Sequence, residues 1–169
     1  KVLQSLPADK EILFVPDRNL GSWAAGQSGR KVITWNGYCP THQWGFGIGD
    51  IRNLRAKYPD FLLLAHPECD PVIVNEADLV MSTGGMMNYV QQNDKVIIAT
   101  ENGLTDYLKH IYPTKKIVTL SPKAVCQNMK KTRLQDVLKA LQEERHHVVV
   151  EESIAQKARE SIDRMLALS

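Results

Sequence analysis

The sequence lacks any apolar run long enough to cross a membrane. Hydrophobic residues make up 43% of the 169 residues, but they fall into short runs separated by polar residues. A membrane-spanning helix needs about 20 consecutive apolar residues. The first residues also lack the basic-then-apolar pattern of a secretory signal peptide. We therefore expect no membrane partner and a cytoplasmic location.

The chain also has little net charge and few cysteines. Its formal net charge is +2, and its Lys and Arg residues are mostly interleaved with acidic ones. This excludes the strongly basic surface that nucleic acid attracts, so we predict no nucleic-acid partner. Three cysteines at positions 39, 69 and 126 are too few and too scattered for a disulfide framework. They suit a reducing compartment, where thiols bind metals or take part in chemistry.

Short apolar runs alternate with amphipathic stretches along the chain. The apolar runs predict strands at residues 12–15, 32–35, 61–65, 79–82, 96–100, 117–120 and 148–150. Apolar residues at helical spacing predict helices at residues 50–58, 86–92, 132–144 and 153–168. Such alternation is typical of the α/β class, in which mainly parallel sheets are covered by helices on both faces. We predict two small three-layer αβα units.

A rough internal repeat indicates where the two units meet. The strand at residues 12–15 is followed by Pro16 and Asp17, and the strand at residues 96–100 is followed by Glu101 and Asn102. Each strand opens a series of strand–helix units. We therefore predict one domain at residues 1–88 and a second at residues 89–169.

Polar and metal-binding side chains follow four of the predicted strands. They are Cys39 and His42 after the second strand, His66, Glu68 and Cys69 after the third, Ser82 and Thr83 at the end of the fourth, and Cys126 after the sixth. In α/β sheets, ligands bind outside the carboxyl ends of the strands. The convergence of these residue types on strand ends predicts one functional site.

Local spacing alone leaves several chemistries open. Cys39 with His42, and His66 with Cys69, offer two thiols and two imidazoles, which is a plausible zinc set. On that interpretation the chain is a zinc-stabilised, non-catalytic α/β binding module. The Ser82–Thr83 turn can bind a phosphate or carboxylate at a helix N-terminus, or simply cap that helix.

Six segments, taken in order, resemble the quinolinate synthase family over essentially the whole chain. They are residues 15–21 (VPDRNLG), 35–42 (WNGYCPTH), 66–69 (HPEC), 82–84 (STG), 99–103 (ATENG) and 126–130 (CQNMK). The resemblance implies related α/β domains, three in number, around a central active site. It also implies a transferase of NAD biosynthesis that condenses iminoaspartate with dihydroxyacetone phosphate to quinolinate. Aspartate oxidase is then the expected supplier of iminoaspartate.

The resemblance also assigns roles to individual residues. It implies a [4Fe–4S] cluster bound by one cysteine from each domain, with one iron open to substrate. The residues that match the family's ligands and active-site groups are Cys39 and Cys126 as cluster ligands, Glu68, His66 and His42 as catalytic and substrate-binding residues, and Ser82 and Thr83 as substrate-binding residues. Glu68 is the expected general acid–base group, assisted by His66. Cys69 matches no cluster ligand.

The chain departs from the family pattern in one respect. No segment matches the family's first domain, which is expected to supply the third cluster cysteine, and the sequence does not begin with Met. We therefore expect a fragment with little activity by itself. A third interpretation is an α/β fragment whose uncovered apolar surface drives formation of a homodimer.

Overall fold

The computed structural model describes residues 1–168. In chain order, the elements of these residues are α1 (Val2–Ser5), β1 (Leu13–Phe14), α2 (Arg18–Ser28), β2 (Ile33–Thr34), α3 (Pro40–Trp44), α4 (Ile48–Lys57), β3 (Leu62–Ala65), α5 (Pro71–Glu76), β4 (Leu79–Val80), α6 (Thr83–Gln92), β5 (Lys95–Ala99), α7 (Asn102–Ile111), β6 (Lys116–Thr119), α8 (Leu134–Glu143) and α9 (Glu152–Ala167). The contacts divide the chain into two compact units. One is Glu11–Cys126, and the other combines Lys1–Lys10 with Gln127–Ser169.

The larger unit is built on a four-stranded parallel sheet with the order β4-β3-β5-β6. Successive side chains of a strand point to opposite faces. Leu63 and Ile97 therefore contribute to one core cluster, which also contains Ile51 of α4 and Ile73 of α5. Leu64 belongs to the opposite cluster with residues of α6 and α7. Helices thus cover both faces of the sheet, and the chain has the predicted α/β, three-layer αβα architecture.

A second, two-stranded parallel sheet pairs β1 with β2 in the same unit. The two strands are joined by α2, which begins where the Asp17 carboxylate accepts the Leu20 N–H. The helix ends at Gly29, whose φ of 69° lies in the left-handed region that glycine adopts without strain. β1, α2 and β2 thus form a parallel strand–helix–strand unit like the one formed by β5, α7 and β6.

The predicted boundary between residues 88 and 89 lies inside the larger unit. β3 precedes that position and β5 follows it, yet the two strands pair along four residue positions from Leu62↔Val96 to Ala65↔Ala99. The predicted division at this position therefore does not coincide with the division between the two compact units.

Most of the predicted elements are present, with ends shifted by a few residues. The exception is the strand predicted at residues 148–150, which is irregular, and Val148 is 80% exposed. An isolated extended segment has no partner for its backbone N–H and C=O groups, so apolar character alone does not make it a strand. The helices predicted at residues 132–144 and 153–168 are present as α8 and α9, with Arg133 and Glu151 at their N-caps.

The smaller unit contains α1, α8 and α9, and none of the described residues of these helices is buried. The apolar residues that predicted α8 are exposed, with Leu134 at 81% and Leu141 at 75%. Among residues 1–168, no helix has both the length and the apolar character needed to cross a membrane.

Candidate functional site

The site residues lie in loops that follow the carboxyl ends of strands in the larger unit. Cys39 follows β2 and is the N-cap residue of α3, whose first residue is Pro40. His66 and Glu68 follow β3, and a tight turn is closed by the Cys69 N–H, which donates to the His66 carbonyl at 2.9 Å. β2 and β3 belong to different sheets, and the contact of His42 with Thr100, which follows β5, brings the strand-end loops of both sheets to one side of the unit.

A thiol, an imidazole and a carboxylate converge at this edge. Donor atoms of Cys39, His42 and Glu68 all lie within 4.8 Å of one another. His42 Nδ1 is 3.1 Å from Glu68 Oε2, and His66 Nδ1 is 3.9 Å from the same oxygen. The structure thus brings together four of the residues that the sequence placed in the site.

His42 is held in place on three sides. Its Nε2 is 2.8 Å from the Thr100 hydroxyl, and its ring stacks on that of His66 with centroids 4.6 Å apart. The approach of Nδ1 to Glu68 Oε2 at 3.1 Å is not well directed for a hydrogen bond, and this buried nitrogen has no other hydrogen-bond partner among residues 1–168. A buried imidazole nitrogen without a directed partner is available to a ligand.

The charges at this edge favour an ionised Glu68 and a neutral His66. The His42 imidazole beside it holds the pKa of Glu68 below its usual range, and His66 acts in the same direction against the opposing effect of burial. Burial is the main cause that lowers the pKa of His66, with a further lowering by His42, while the Glu68 carboxylate opposes both. Near neutral pH, Glu68 can therefore accept a proton, and His66 is uncharged.

Cys69 does not belong to this group, so the four-residue zinc set predicted from local spacing is wrong in its membership. The Cys69 side chain is fully buried, and its thiol donates to the Ala99 carbonyl at 3.3 Å. Burial raises the pKa of this thiol to about 12. Because metals bind the thiolate, a thiol kept protonated in the core is a poor ligand. In the structure, Glu68 rather than Cys69 lies beside Cys39 and His42.

Cys126 lies in a loop after β6 and is half-buried. It is not part of the Cys39–His42–Glu68 group, but its loop packs close to the end of α3. A side chain built on Gly45, the residue after α3, would lie 3.2 Å from Cα of Ala124 and 2.3 Å from the Thr41 carbonyl oxygen. The missing side chain of Gly45 thus lets the two cysteine-bearing segments approach each other.

We expect Gly45→Ala to lower the free energy of unfolding by about 1–3 kcal/mol, because the added methyl group has no space. Urea unfolding followed by circular dichroism measures this change. Gly49→Ala is the matched control, since nothing lies within 4 Å of a Cβ at that position in α4. The control should be neutral or slightly stabilising. Equal stability of the Gly45 variant and the control would contradict the close packing of the two segments.

Ser82 and Thr83 lie at the start of α6, after β4. The Ser82 hydroxyl accepts the Gly85 N–H at 3.2 Å, and Thr83 is the first residue of the helix. Both side chains are exposed, and neither belongs to the Cys39–His42–Glu68 group. β4 is the neighbour of β3 in the sheet, so this helix start lies at the same edge as Glu68.

Several buried polar residues around the site were not predicted from the sequence. Thr100 contacts His42, while Asn19 donates to both Gln43 Oε1 and the Glu68 carbonyl. Asp17 and Glu101 are also buried. Their positions in the sequence could have indicated them, because polar residues close after the apolar runs that predict strands lie near the ligand-binding edge.

Parallel sheets with a thiol, imidazoles and a carboxylate in the loops after their strands place the chain among α/β proteins whose strand-end loops form a ligand or active site. Residues 1–167 match the family described as NadA, quinolinate synthetase A protein. The chain belongs to this family.

Curated relatives agree with this assignment. The chain is 43% identical over 170 residues to the quinolinate synthase of Geobacter metallireducens, a match that covers 99% of this chain and 55% of the relative. It is 40% identical to the quinolinate synthase of Alkaliphilus metalliredigens, covering 99% and 56%. Against the quinolinate synthase of Pyrococcus abyssi the identity is 37%, covering 100% and 56%. The chain therefore spans just over half the length of these relatives.

Proposed function

We propose that this chain supplies two cluster-binding thiols and the acid–base residues of a quinolinate synthase that acts in NAD biosynthesis. The observation that carries the proposal is the grouping of Cys39, His42 and Glu68 at the strand ends of a family member. The overall reaction condenses iminoaspartate with dihydroxyacetone phosphate, with loss of phosphate and water, to give quinolinate.

The donor set of the chain fits two protein ligands of a [4Fe–4S] cluster. Cys39 and Cys126 are both half-buried, and both lie in loops after the second strand of a parallel strand–helix–strand unit. Half-buried thiols can bind a cluster that is shielded from bulk water while one face stays open to substrate. Cys69 is excluded by its burial in the core. Within this chain, the third thiol that the family resemblance implies has no candidate.

A bound cluster with an open iron would supply a Lewis acid that polarises an oxygen of the substrate. Glu68, as the ionised carboxylate, removes a proton from carbon next to a carbonyl or imine and later delivers it to a departing hydroxyl. The uncharged His66 beside it can relay or donate that proton. His42, fixed by Thr100 and the stacked His66 ring, orients the Glu68 carboxylate.

Substrate anions are bound near the start of α6. Ser82 and Thr83 present hydroxyl groups there, and the first N–H groups of a helix attract carboxylate and phosphate. The location is cytoplasmic on this proposal, and aspartate oxidase supplies the unstable iminoaspartate. Because the chain spans just over half of its relatives, we propose that these 169 residues alone have little activity. Formation of a homodimer stays a prediction.

The test is the content of iron, acid-labile sulfide and zinc after anaerobic purification. We would measure it for this chain and for a protein of the relatives' full length that includes it. We expect about four irons and four sulfides in the longer protein, loss of most of this iron in Cys126→Ser, and full retention in Cys69→Ser. Cys69→Ser is the matched control because a serine can still donate to the Ala99 carbonyl.

One zinc per chain, with no dependence on Cys126, would contradict the proposal. That result would favour a single metal ion bound by Cys39, His42 and Glu68, and with it the non-catalytic binding module.

A further inference from the structure

The two cysteine loops follow the same local architecture. Cys39 comes after the unit β1–α2–β2, and Cys126 comes after the unit β5–α7–β6. In both units the two strands are parallel neighbours. In both, a buried acidic residue lies directly before the connecting helix and is its N-cap residue, namely Asp17 in the first unit and Glu101 in the second.

In the first unit, the Asp17 carboxylate joins the helix start to the cysteine loop. Its Oδ1 accepts the Leu20 N–H at 2.8 Å, and its Oδ2 accepts the Cys39 N–H at 2.9 Å. The next residue, Arg18, donates its backbone N–H to the carbonyl of Gly37 at 2.8 Å. Two hydrogen bonds thus hold the loop, one at the cysteine and one two residues before it.

The second unit repeats this pattern. Glu101 Oε2 accepts the Gly103 N–H at 2.7 Å, and its Oε1 accepts the Cys126 N–H at 3.3 Å. The next residue, Asn102, donates its backbone N–H to the carbonyl of Ala124 at 2.9 Å. Ala124 stands two residues before Cys126, as Gly37 stands two residues before Cys39. The pattern therefore recurs in two parts of the chain, and in each the bonded carbonyl lies two residues before the cysteine, although the helix-start bond reaches the third residue after Asp17 and the second after Glu101.

We propose that Asp17 and Glu101 are positioning residues that fix the backbone of the two cluster-binding loops. The inference rests on the proposed function in taking Cys39 and Cys126 as the ligand thiols. A carboxylate suits this role because its two oxygens accept two N–H groups at once, whereas a serine or threonine N-cap has one oxygen. Burial and the positive end of the helix dipole strengthen these charge-assisted hydrogen bonds.

The role follows from what a rigid cluster requires. A cubane cluster accepts thiolates only at set positions. A loop that does not already hold its thiol there must lose conformational entropy when the cluster binds, which weakens binding. A loop held at the cysteine amide and two residues earlier has already lost that freedom. Asp17 and Glu101 act on the thiols through the backbone, and neither is assigned to the substrate or the cluster.

The test measures how fast iodoacetamide alkylates each cysteine of the metal-free chain, with peptide mass spectrometry to separate the three sites. The variants are Asp17→Ser and Glu101→Ser, which keep a helix N-cap but cannot also reach the cysteine amide. We expect Asp17→Ser to speed alkylation of Cys39 about fivefold, the factor for loss of one hydrogen bond, and to leave Cys126 unchanged. Glu101→Ser should do the reverse.

Asp50→Ser is the matched control, because the Asp50 carboxylate accepts the Gly47 N–H at 2.9 Å in a loop without a cysteine. It should change neither rate. Cys69 reports on the fold, since this buried thiol is alkylated only when the unit opens. Loss of the fold would raise all rates together, so the crossed pattern with Cys69 unlabelled shows that each carboxylate acts on its own cysteine loop.

Unchanged rates in both variants, or equal increases at Cys39 and Cys126 in each, would overturn the proposal. If the serine variants expose Cys69, the same criterion is applied to Asp17→Asn and Glu101→Gln, which keep one acceptor oxygen and the original size. The alkylation is independent of metal. Zinc in place of a cluster would refute the proposed function and leave the crossed pattern intact, whereas a cluster without the crossed pattern would refute only the positioning role.

Discussion

Glu68→Gln in a protein of the relatives' full length is expected to lower kcat for quinolinate formation by a factor of about 10²–10⁴. Glutamine keeps the shape of the side chain but cannot take up a proton. The effect should fall on kcat rather than KM, because the proton transfer belongs to the chemical step. Steady-state assays with a saturating supply of both substrates measure this separation.

Glu76→Gln serves as the control for this prediction. Glu76 is an exposed acidic residue at the end of α5, and its substitution removes one carboxylate without touching the Cys39–His42–Glu68 group. Iron content must be equal in both variants, so that loss of the cluster does not imitate loss of the base. A rise in KM with unchanged kcat would show that Glu68 binds substrate and that another residue transfers the proton.

Leu64→Ala is expected to lower the free energy of unfolding by about 2–5 kcal/mol. Leu64 is fully buried on β3, between its paired neighbours β4 and β5, and it belongs to the core cluster against α6 and α7. The substitution removes apolar contacts and leaves a cavity that a sheet paired on both sides cannot close. Urea unfolding of the chain, followed by circular dichroism, measures the loss.

Leu62→Ala is the matched control on the same strand. Leu62 is 40% exposed, so its truncation removes less buried surface and leaves no enclosed cavity. We expect a cost below about 1 kcal/mol at this position. Equal costs for the two leucines would contradict the assignment of β3 to the centre of a two-sided core.

The strands of the larger unit could largely be predicted because they depend on neighbouring residues, whereas of its helices only α4 and α6 were predicted. Short apolar runs between turn residues indicated β1 to β6, while α2, α3, α5 and α7 were not predicted. The strand wrongly predicted at residues 148–150 could not be excluded from the sequence. Its apolar character is visible locally, but whether a strand has a pairing partner depends on residues elsewhere in the chain. Local sequence likewise could not show that residue 88 lies inside one compact unit, because the pairing of β3 with β5 joins residues that are far apart in sequence.

The sequence by itself determined the α/β class, the family and the set of strand-end residues from which a site is built. Only the tertiary structure decided which of them meet. The turn at residues 66–69 directs the Cys69 thiol to the Ala99 carbonyl in the core, while Glu68 lies beside His42. Spacing cannot distinguish these two directions, because adjacent residues of a turn can face opposite sides of the chain. The contacts of Asp17 with Cys39 and of Glu101 with Cys126 likewise exist only because parallel strands end at one edge.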